Sequence, residues 1–504
     1  MAHITVDGTV LEVKQGALLI EELLAHGIQI PHFCYHPALG KDGNCRMCMV
    51  EIEGQKRPQI ACDTPIKEGM VVRTKGANID RVKRSILEME LINHPIDCPI
   101  CDQAGECSLQ NYYMDVGLYE SRVTTPKVKK EKRVDLGANV VLDQERCVLC
   151  TRCVRFTEKI THSNELGVLS RGDHSVISTF PGAALKDPYA MNVVDLCPVG
   201  ALTSKDFRFH KRVWFLKSEE AICNHCARGC SLFVDHHKAK YKDEYIYRYR
   251  PRLNDKINGY FICDAGRLSY HEENANFALQ PMIRGKISEY EYAEGKLERL
   301  IKRHLGKTLF ILSSSLSLEE LVRIQKLSKL YDIKLNAYEI DRFDDTFGDD
   351  FLKCRDRSSN ARAITLLGIE DTKESLNAAV QNAELVVMLG RSDQETLLNA
   401  GFDKNLVILS ASCSASAQES ELVLPIASHM QRAGSFINID GYVQHSACAI
   451  KSENACKTLL EILAPLIGDS LVSCKAVWEA ELFFYEVLRD ISFDSLKSTP
   501  KIDL

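Results

Sequence analysis

Fifteen of the twenty cysteines fall between Cys34 and Cys263, and the rest of the chain holds only five. With one histidine they divide without remainder into four sets of four: Cys34/Cys45/Cys48/Cys62, His94/Cys98/Cys101/Cys107, Cys147/Cys150/Cys153/Cys197 and Cys223/Cys226/Cys230/Cys263. A fold of this chain must bring each set to one point. Thiolate quartets, one of them with an imidazole in place of a thiolate, are ligand sets for iron–sulfur clusters. Four in one chain make a row of redox centres, so the first expectation is a protein that conducts electrons.

A chain of 504 residues is expected to hold several domains. Its formal net charge of -6 offers no basic surplus for a nucleic-acid partner. The N-terminus lacks a basic start followed by an apolar run, and no stretch of 18 uncharged apolar residues occurs. These readings predict a cytoplasmic protein, docked at most on a membrane complex. In a long chain expected in a reducing compartment, this cysteine density points to metal ligation rather than disulfides. Cys354, Cys413, Cys448, Cys456 and Cys474 stand isolated in sequence and read as ordinary thiols.

The run His3 to Val13 alternates around Asp7-Gly8, which predicts a hairpin, and Leu18 to Ala25 predicts a short helix. Hairpin, helix and cysteine loop is the opening order of a β-grasp ferredoxin. The first set is spaced C-x10-C-x2-C-x13-C, with Gly40, Gly43 and Asn44 able to wrap the backbone around inorganic sulfide. A four-cysteine zinc site is the alternative. The second set, H-x3-C-x2-C-x5-C, could likewise be a zinc site of three cysteines and a histidine. If a cluster sits there, neutral His94 in place of a thiolate removes one negative charge and should raise its potential.

The run Asn93-His94-Pro95-Ile96-Asp97-Cys98-Pro99-Ile100-Cys101 through Gly105-Glu106-Cys107, behind the first set, resembles the large peripheral iron–sulfur subunit of respiratory complex I. Iron-only hydrogenases and NAD-linked formate dehydrogenases share this opening, and the third set separates them. Cys147-Val148-Leu149-Cys150-Thr151-Arg152-Cys153 starts like a bacterial ferredoxin run and Cys197-Pro198 ends like one. Thr157 stands where a second cluster would need cysteine, and Asp187 to Leu196 holds none, so one cluster is expected. A hydrogenase would keep both.

The fourth set, C-x2-C-x3-C-x32-C, resembles the cluster that opens molybdopterin oxidoreductases. In those enzymes a basic residue two positions after the last cysteine commonly relays electrons to the pterin; here it is Ala265. Beyond it, Thr308–Leu312, Leu385–Leu389 and Leu406–Leu409 read as buried parallel strands, and Leu316–Tyr331 and Lys373–Ala383 as covering helices. Gly434 to Gln444 looks like the matching motif of the molybdopterin family, but too little chain follows Cys263 for a complete pterin site. No G-x-G-x-x-G or Walker-type loop occurs; Gly306-Lys307-Thr308 lacks the preceding glycine. The basic run Lys127 to Arg133 reads as a solvated linker between the second and third cluster domains, with a docking surface as the alternative.

The resemblance implies a multidomain α+β and α/β chain. Residues 1–78 form a β-grasp ferredoxin-like domain with a 2Fe-2S cluster. Residues 79–120 form the His/Cys-ligated 4Fe-4S domain, 121–215 a ferredoxin-like 4Fe-4S domain, 216–272 a molybdopterin-oxidoreductase-type 4Fe-4S domain, and 273–504 a reduced α/β domain of that family. It implies one 2Fe-2S and three 4Fe-4S clusters, with no molybdopterin, flavin or NAD held by this chain and no catalytic acid, base or nucleophile. Expected partners are a flavin- and NADH-binding subunit, a small 2Fe-2S subunit and quinone-side subunits. Membrane contact, on the cytoplasmic face of the inner membrane, would come only through the complex. A molybdopterin-type formate dehydrogenase or multi-cluster hydrogenase component is the alternative.

Overall fold

At Asp7 and Gly8 the backbone takes positive φ, 48° and 88°, and this tight turn folds the N-terminal run into β1 (Ala2–Val6) and β2 (Thr9–Val13). The computed structural model describes residues 1–117, 120–137, 139–240, 244–275, 280–390, 405–412, 420–451 and 456–502, arranged as two units, Met1–Phe215 and Leu216–Leu504. Cys413 lies outside the described residues.

In the first unit, α1 (Leu19–Ala25) begins one residue later than the sequence suggests, with Leu18 at its cap. β3 (Met49–Ile52), β4 (Gln59–Ile60) and β5 (Val71–Arg73) complete a mixed sheet of order β2-β1-β5-β3-β4, with β1 and β5 parallel. Alternation along β1 turns Ala2, Ile4 and Val6 inward, where they meet Leu19, Ile20 and Leu23 of α1. Tyr35, Cys48 and Cys62 belong to the same core, so the first ligand loop is anchored in it. This is the ferredoxin-like arrangement expected of the N-terminus.

Two helices, α2 (Ala77–Asn93) and α3 (Ser108–Val116), frame the second set. A small sheet of β6 (Val134–Asp135), β7 (Val140–Leu142) and β10 (Leu202–Ser204) frames the third, with the hairpin β8 (Gly167–Leu169) and β9 (Val176–Ser178) between. There α4 (Arg152–Lys159) carries Cys153 and α5 (Asn192–Leu196) leads into Cys197. The basic run is largely exposed, at Lys129, Glu131, Lys132 and Arg133, yet it is pinned at three lysines. Lys127 Nζ donates to the carbonyls of Leu91 and Ile92 at the end of α2, at 2.7 and 2.9 Å. Lys130 Nζ donates to Ser175 O at 2.7 Å, and Lys132 pairs with Asp97, Asp143 and Glu145. Unsatisfied helix-end carbonyls and a knot of carboxylates attract ammonium groups, and they convert the run into a fastened strap.

The second unit opens with an antiparallel sheet, β11 (Lys217–Ile222), β12 (Ser231–Lys238) and β13 (Glu244–Pro251), followed by α6 (Asp264–Leu268) and α7 (Tyr270–Glu273). Then come β14 (Met282–Ile283), β15 (Lys286–Ile287), α8 (Tyr290–Arg303), β16 (Thr308–Leu312), α9 (Leu318–Tyr331) and β17 (Lys334–Asn336). After α10 (Ala361–Leu366) and α11 (Lys373–Asn382) follow β18 (Leu385–Leu389), β19 (Asn405–Ser410) and β20 (Leu422–Pro425). They form one seven-stranded sheet of order β15-β14-β20-β19-β18-β16-β17, parallel from β20 to β17. Phe310, Leu312, Val387 and Leu389 face the core containing α8 and α9, while Leu309, Ile311, Val386 and Met388 face α11. Both faces are covered, which is why these strands are apolar throughout.

Gly434 opens β21 (Gly434–Ile437), which pairs with β22 (Val443–Ser446). A Cβ at Gly434 would lie 2.5 Å from the Cβ of Ser317, the residue whose hydroxyl and backbone form a capping box with Glu320 of α9. Gly434→Ala is therefore expected to destabilise the chain by about 1–3 kcal/mol, read as a fall in the denaturant midpoint. Inside α8, a Cβ at Gly295 would meet only the flexible end of Arg299 at 3.3 Å. Gly295→Ala should raise the midpoint, by about 0.5–1 kcal/mol.

Candidate metal centres

Each ligand loop holds residues at positive φ. They include Arg46 (56°) between Cys45 and Cys48, Ile96 (49°) between His94 and Cys98, Leu149 (49°) and Thr151 (59°) among the third set, and Gly229 (61°) between Cys226 and Cys230. A left-handed non-glycine residue costs about 1–2 kcal/mol, and it reverses the peptide so that successive N–H groups face into the loop. Backbone N–H groups of the loops, that of left-handed Leu149 among them, meet sulfur. Phe33 and Cys34 donate to Cys45 Sγ at 3.5 Å, Leu149 to Cys147 Sγ at 3.4 Å and Gly266 to Cys263 Sγ at 3.2 Å. The amides of Val199, Leu202 and Ala201 reach Cys197.

The four thiols of the first set are buried together. Cys34 and Cys45 sulfurs lie 3.4 Å apart, and Cys62 is hydrogen-bonded to both Cys34 and Cys48. Hydrogen bonds from Cys45 and Cys62 hold Cys34 well below the usual thiol range, while the bonds of Cys62 to Cys34 and Cys48 push Cys62 well above it. In the third set, Cys147, Cys150, Cys153 and Cys197 line one small cavity walled by Leu142, Ile177 and Leu202. Burial, then the charge of neighbouring thiolates, pushes Cys147 and Cys150 up to about 12, and Cys153 is pushed well up by the same causes. Sulfurs that resist ionisation when packed together are what a cationic iron–sulfide core relieves. The residues fit the group.

Two arginines of α4, to which the sequence reading gives no role, tie the first loop to the third. Arg155, 5% exposed, donates to the carbonyls of Cys34, Leu39 (3.3 Å), Gly40 (2.8 Å) and Cys150 (3.4 Å). Arg152 donates to Tyr35 O at 2.6 Å and Leu196 O at 3.2 Å, and lies beside the Cys150 and Cys197 sulfurs. Asn44 Nδ2 reaches Leu149 O at 2.8 Å. Tyr112 of α3 joins the same junction, its hydroxyl accepting from His32 N at 3.1 Å and its ring packed on Phe33.

In the second set Cys98, Cys101 and Cys107 lie within electrostatic reach of one another. Burial raises Cys107 to about 11. His94 caps the C-terminal end of α2 among Asp97, Arg146, Lys127 and Lys132. Burial, helped by the three cations, lowers its pKa to about 4, which leaves the ring neutral with a free lone pair. Arg146, 3% exposed, grips Asp97 bidentately at 2.9 and 2.7 Å. The second and third loops touch: Ser108 N donates to Pro198 O at 2.9 Å, and a Cβ at Gly200 would lie 2.2 Å from Cys101 Sγ. Gly200 is the residue that lets the two loops close.

The fourth set sits in the second unit. Cys223 N donates to Cys230 O at 2.8 Å, closing the loop, and Cys263 caps α6. A Cβ at Gly266 would lie 3.0 Å from Cys223 Sγ and 3.3 Å from Cys263 Sγ. The β21–β22 hairpin holds this loop: Gln444 Nε2 donates to Gly229 O (2.8 Å), Ile439 N to Ala227 O (2.8 Å), and Arg228 pairs with Asp440 at 2.6 Å. Cys354 is not isolated in space, as its sequence position suggests. It is hydrogen-bonded to Cys226, which draws Cys226 down to about 6 while Cys354 is raised. Among the described residues, no three Cys, His, Asp or Glu side chains are gathered for a single metal ion.

Comparison with known proteins bears on the same region. Residues 1–77 match a family described as 2Fe-2S iron-sulfur cluster binding domain, and 83–122 the NADH-ubiquinone oxidoreductase-G iron-sulfur binding region. Residues 137–203 match the ferredoxin-like domain of NADH-quinone oxidoreductase subunit 3. The G-type subunit of NADH-quinone oxidoreductase from Streptomyces coelicolor is 36% identical over 301 residues, 59% of this chain and 34% of the relative. Its counterpart from Rickettsia conorii is 34% identical over 348 residues, 68% of this chain and 51% of the relative. The chain thus spans about a third to a half of the curated relatives it matches. A solved chain of an NAD+-reducing [NiFe]-hydrogenase is 32% identical over 42% of this chain and 91% of its own, with a TM-score of 0.39.

Because Arg155 bonds both loops, Arg155→Met is expected to reduce iron and labile sulfide at the first and third sets together. Resonance spectra that distinguish binuclear from cubane signals check this. A loss confined to the third set would show that Arg155 acts only within its own helix.

Proposed function

We propose that this chain, a G-type subunit of NADH-quinone oxidoreductase, relays electrons from a flavin- and NADH-binding subunit through iron–sulfur centres towards quinone-side subunits. In the whole complex that transfer would be coupled to proton translocation. Cys34, Cys45, Cys48 and Cys62 would hold a 2Fe-2S cluster. His94/Cys98/Cys101/Cys107, Cys147/Cys150/Cys153/Cys197 and Cys223/Cys226/Cys230/Cys263 would each hold a 4Fe-4S cluster. When bound, the clusters supply one-electron acceptors and donors.

The chain's own residues do the rest. Loop amides donate to sulfur, Arg152 and Arg155 set positive charge beside the Cys150 sulfur, and most of the thiols are buried. The observation that carries the reading is the interlocking of the first three ligand loops inside one unit. Asn44 meets Leu149, Arg152 meets Tyr35, and Cys101 packs on Gly200. Three redox centres held by touching loops form a path, whereas separate structural zinc sites would have no need to touch.

The five-part division given by the ligand sets is our reading of the domain order, with residues 273–504 a reduced molybdopterin-oxidoreductase-like domain. Its hairpin seat for the fourth ligand loop supports that kinship. A small 2Fe-2S subunit is the remaining expected partner, and attachment to the cytoplasmic face of the inner membrane follows from the complex. No helix among the described residues is long and apolar enough to cross a membrane.

Four complete sets predict about 14 iron atoms per chain, with matching labile sulfide and no molybdenum, in anaerobically purified protein. Zinc at one equivalent or more, with iron correspondingly low, would sink at least one set. For the second set, His94→Cys should keep a cubane at lower potential, because the thiolate adds a negative charge, and His94→Ala should lose or weaken it. An unchanged signal and potential in His94→Ala would remove His94 from the ligands.

A further inference from the structure

The segment between β17 and α10 lies across the fourth ligand loop. Asp356 O accepts from Ala227 N at 2.9 Å and Leu352 O from Arg228 Nε at 3.3 Å. Arg357 donates to His225 O at 3.0 Å, and its other nitrogen lies 2.8 Å from His225 Nε2. The loop is thus fastened at 225, 227 and 228, on both sides of Cys226, and the strap residue left facing Cys226 is Cys354. The strap is rigid for its own reasons. Asp349 accepts from the amides of Phe351, Leu352 and Lys353, and Arg342 pairs with Asp356 and Asp371. Phe347 is overlain by Arg357 at 4.0 Å and Lys353 at 4.5 Å, with His225 edge-on at 5.5 Å. The strap also carries charge to the site: Arg357 acts on Cys223 and Cys226, and Lys353 on Cys263.

We infer that Cys354 sets the potential of the fourth centre: its S–H donates a hydrogen bond to the Cys226 sulfur and, with Lys353 and Arg357, favours the reduced state. The reasoning is electrostatic. Reduction adds negative charge that spreads onto the ligating sulfurs, and donors or cations beside them stabilise it. Backbone and side-chain bonds at 225, 227 and 228 hold the strap across the loop, so the Cys354 side chain is kept beside the Cys226 sulfur. The arrangement gives the fourth centre a tuned potential, which a centre serving only to hold the fold would not need. The inference rests on the proposed ligand set.

The test is a redox titration of the fourth cluster's resonance signal in the iron-loaded protein, with iron counted alongside. Cys354→Ala should lower the midpoint potential at full iron content, and Cys354→Ser, which keeps a hydroxyl donor, should recover most of the shift. An unchanged midpoint in Cys354→Ala overturns the inference. So does loss of about four irons in both variants, which would make Cys354 a ligand or a folding residue. Cys230→Ala separates the two readings: if it keeps all the iron and the same signal, the ligand set itself is wrong.

Discussion

Arg155 is the interaction on which the first unit turns. A guanidinium only 5% exposed is costly unless its donors are satisfied. Here they are taken by carbonyls of two different ligand loops, Cys34, Leu39 and Gly40 on one and Cys150 on the other. Charge-assisted bonds of this kind are worth about 1.5–3 kcal/mol each. They are lost if either loop moves, so the two loops hold each other. Arg152 repeats the device with Tyr35 and Leu196, and its electrostatic partners include the Cys150 and Cys197 sulfurs. With a cluster bound, these cations would offset the charge of the ligating thiolates, which would couple metal loading to folding.

The same constraint explains the strained backbone. Leu149 and Thr151 adopt left-handed conformations within three residues of each other, and as a result Leu149 N meets Cys147 Sγ. Strain concentrated at ligand loops persists only where surrounding structure over-determines it. Here that structure is the arginine clamp, the Tyr112 junction and the contact of Cys101 with Gly200. A rigid, amide-lined sulfur environment changes little when an electron arrives or leaves, which suits a relay.

The second unit solves the problem differently. Its ligand loop is short and closes on itself through Cys223 N and Cys230 O, and the α/β part supports it from two directions. The β21–β22 hairpin bonds Ala227 and Gly229, and the strap ending at Arg357 bonds the residues on either side of Cys226. The large buried sheet beneath is therefore a platform whose excursions reach the metal site.

How much was legible follows from separation along the chain. The proposed ligand sets are named from spacing alone, since most neighbouring members are three to fourteen positions apart, within the reach of one small cluster. The strands β16 and β18 could be read because burial on both faces demands unbroken apolar runs. Other features had no local signature. Arg155 meets Gly40 across 115 positions, Asn44 meets Leu149 across 105, and Gly200 matters only because Cys101 packs against it. The pinning of Lys127 to Arg133 could not be read because its partners, the carbonyls ending α2 and the carboxylates Asp97, Asp143 and Glu145, lie far from it in sequence or have other uses. Cys354 looked solitary for the same reason. Residue type and short spacing were enough to propose which atoms bind metal, because a cluster of fixed size imposes its spacing locally. Which loops touch, and which cations and donors face each sulfur, was settled only when the chain closed over long separations.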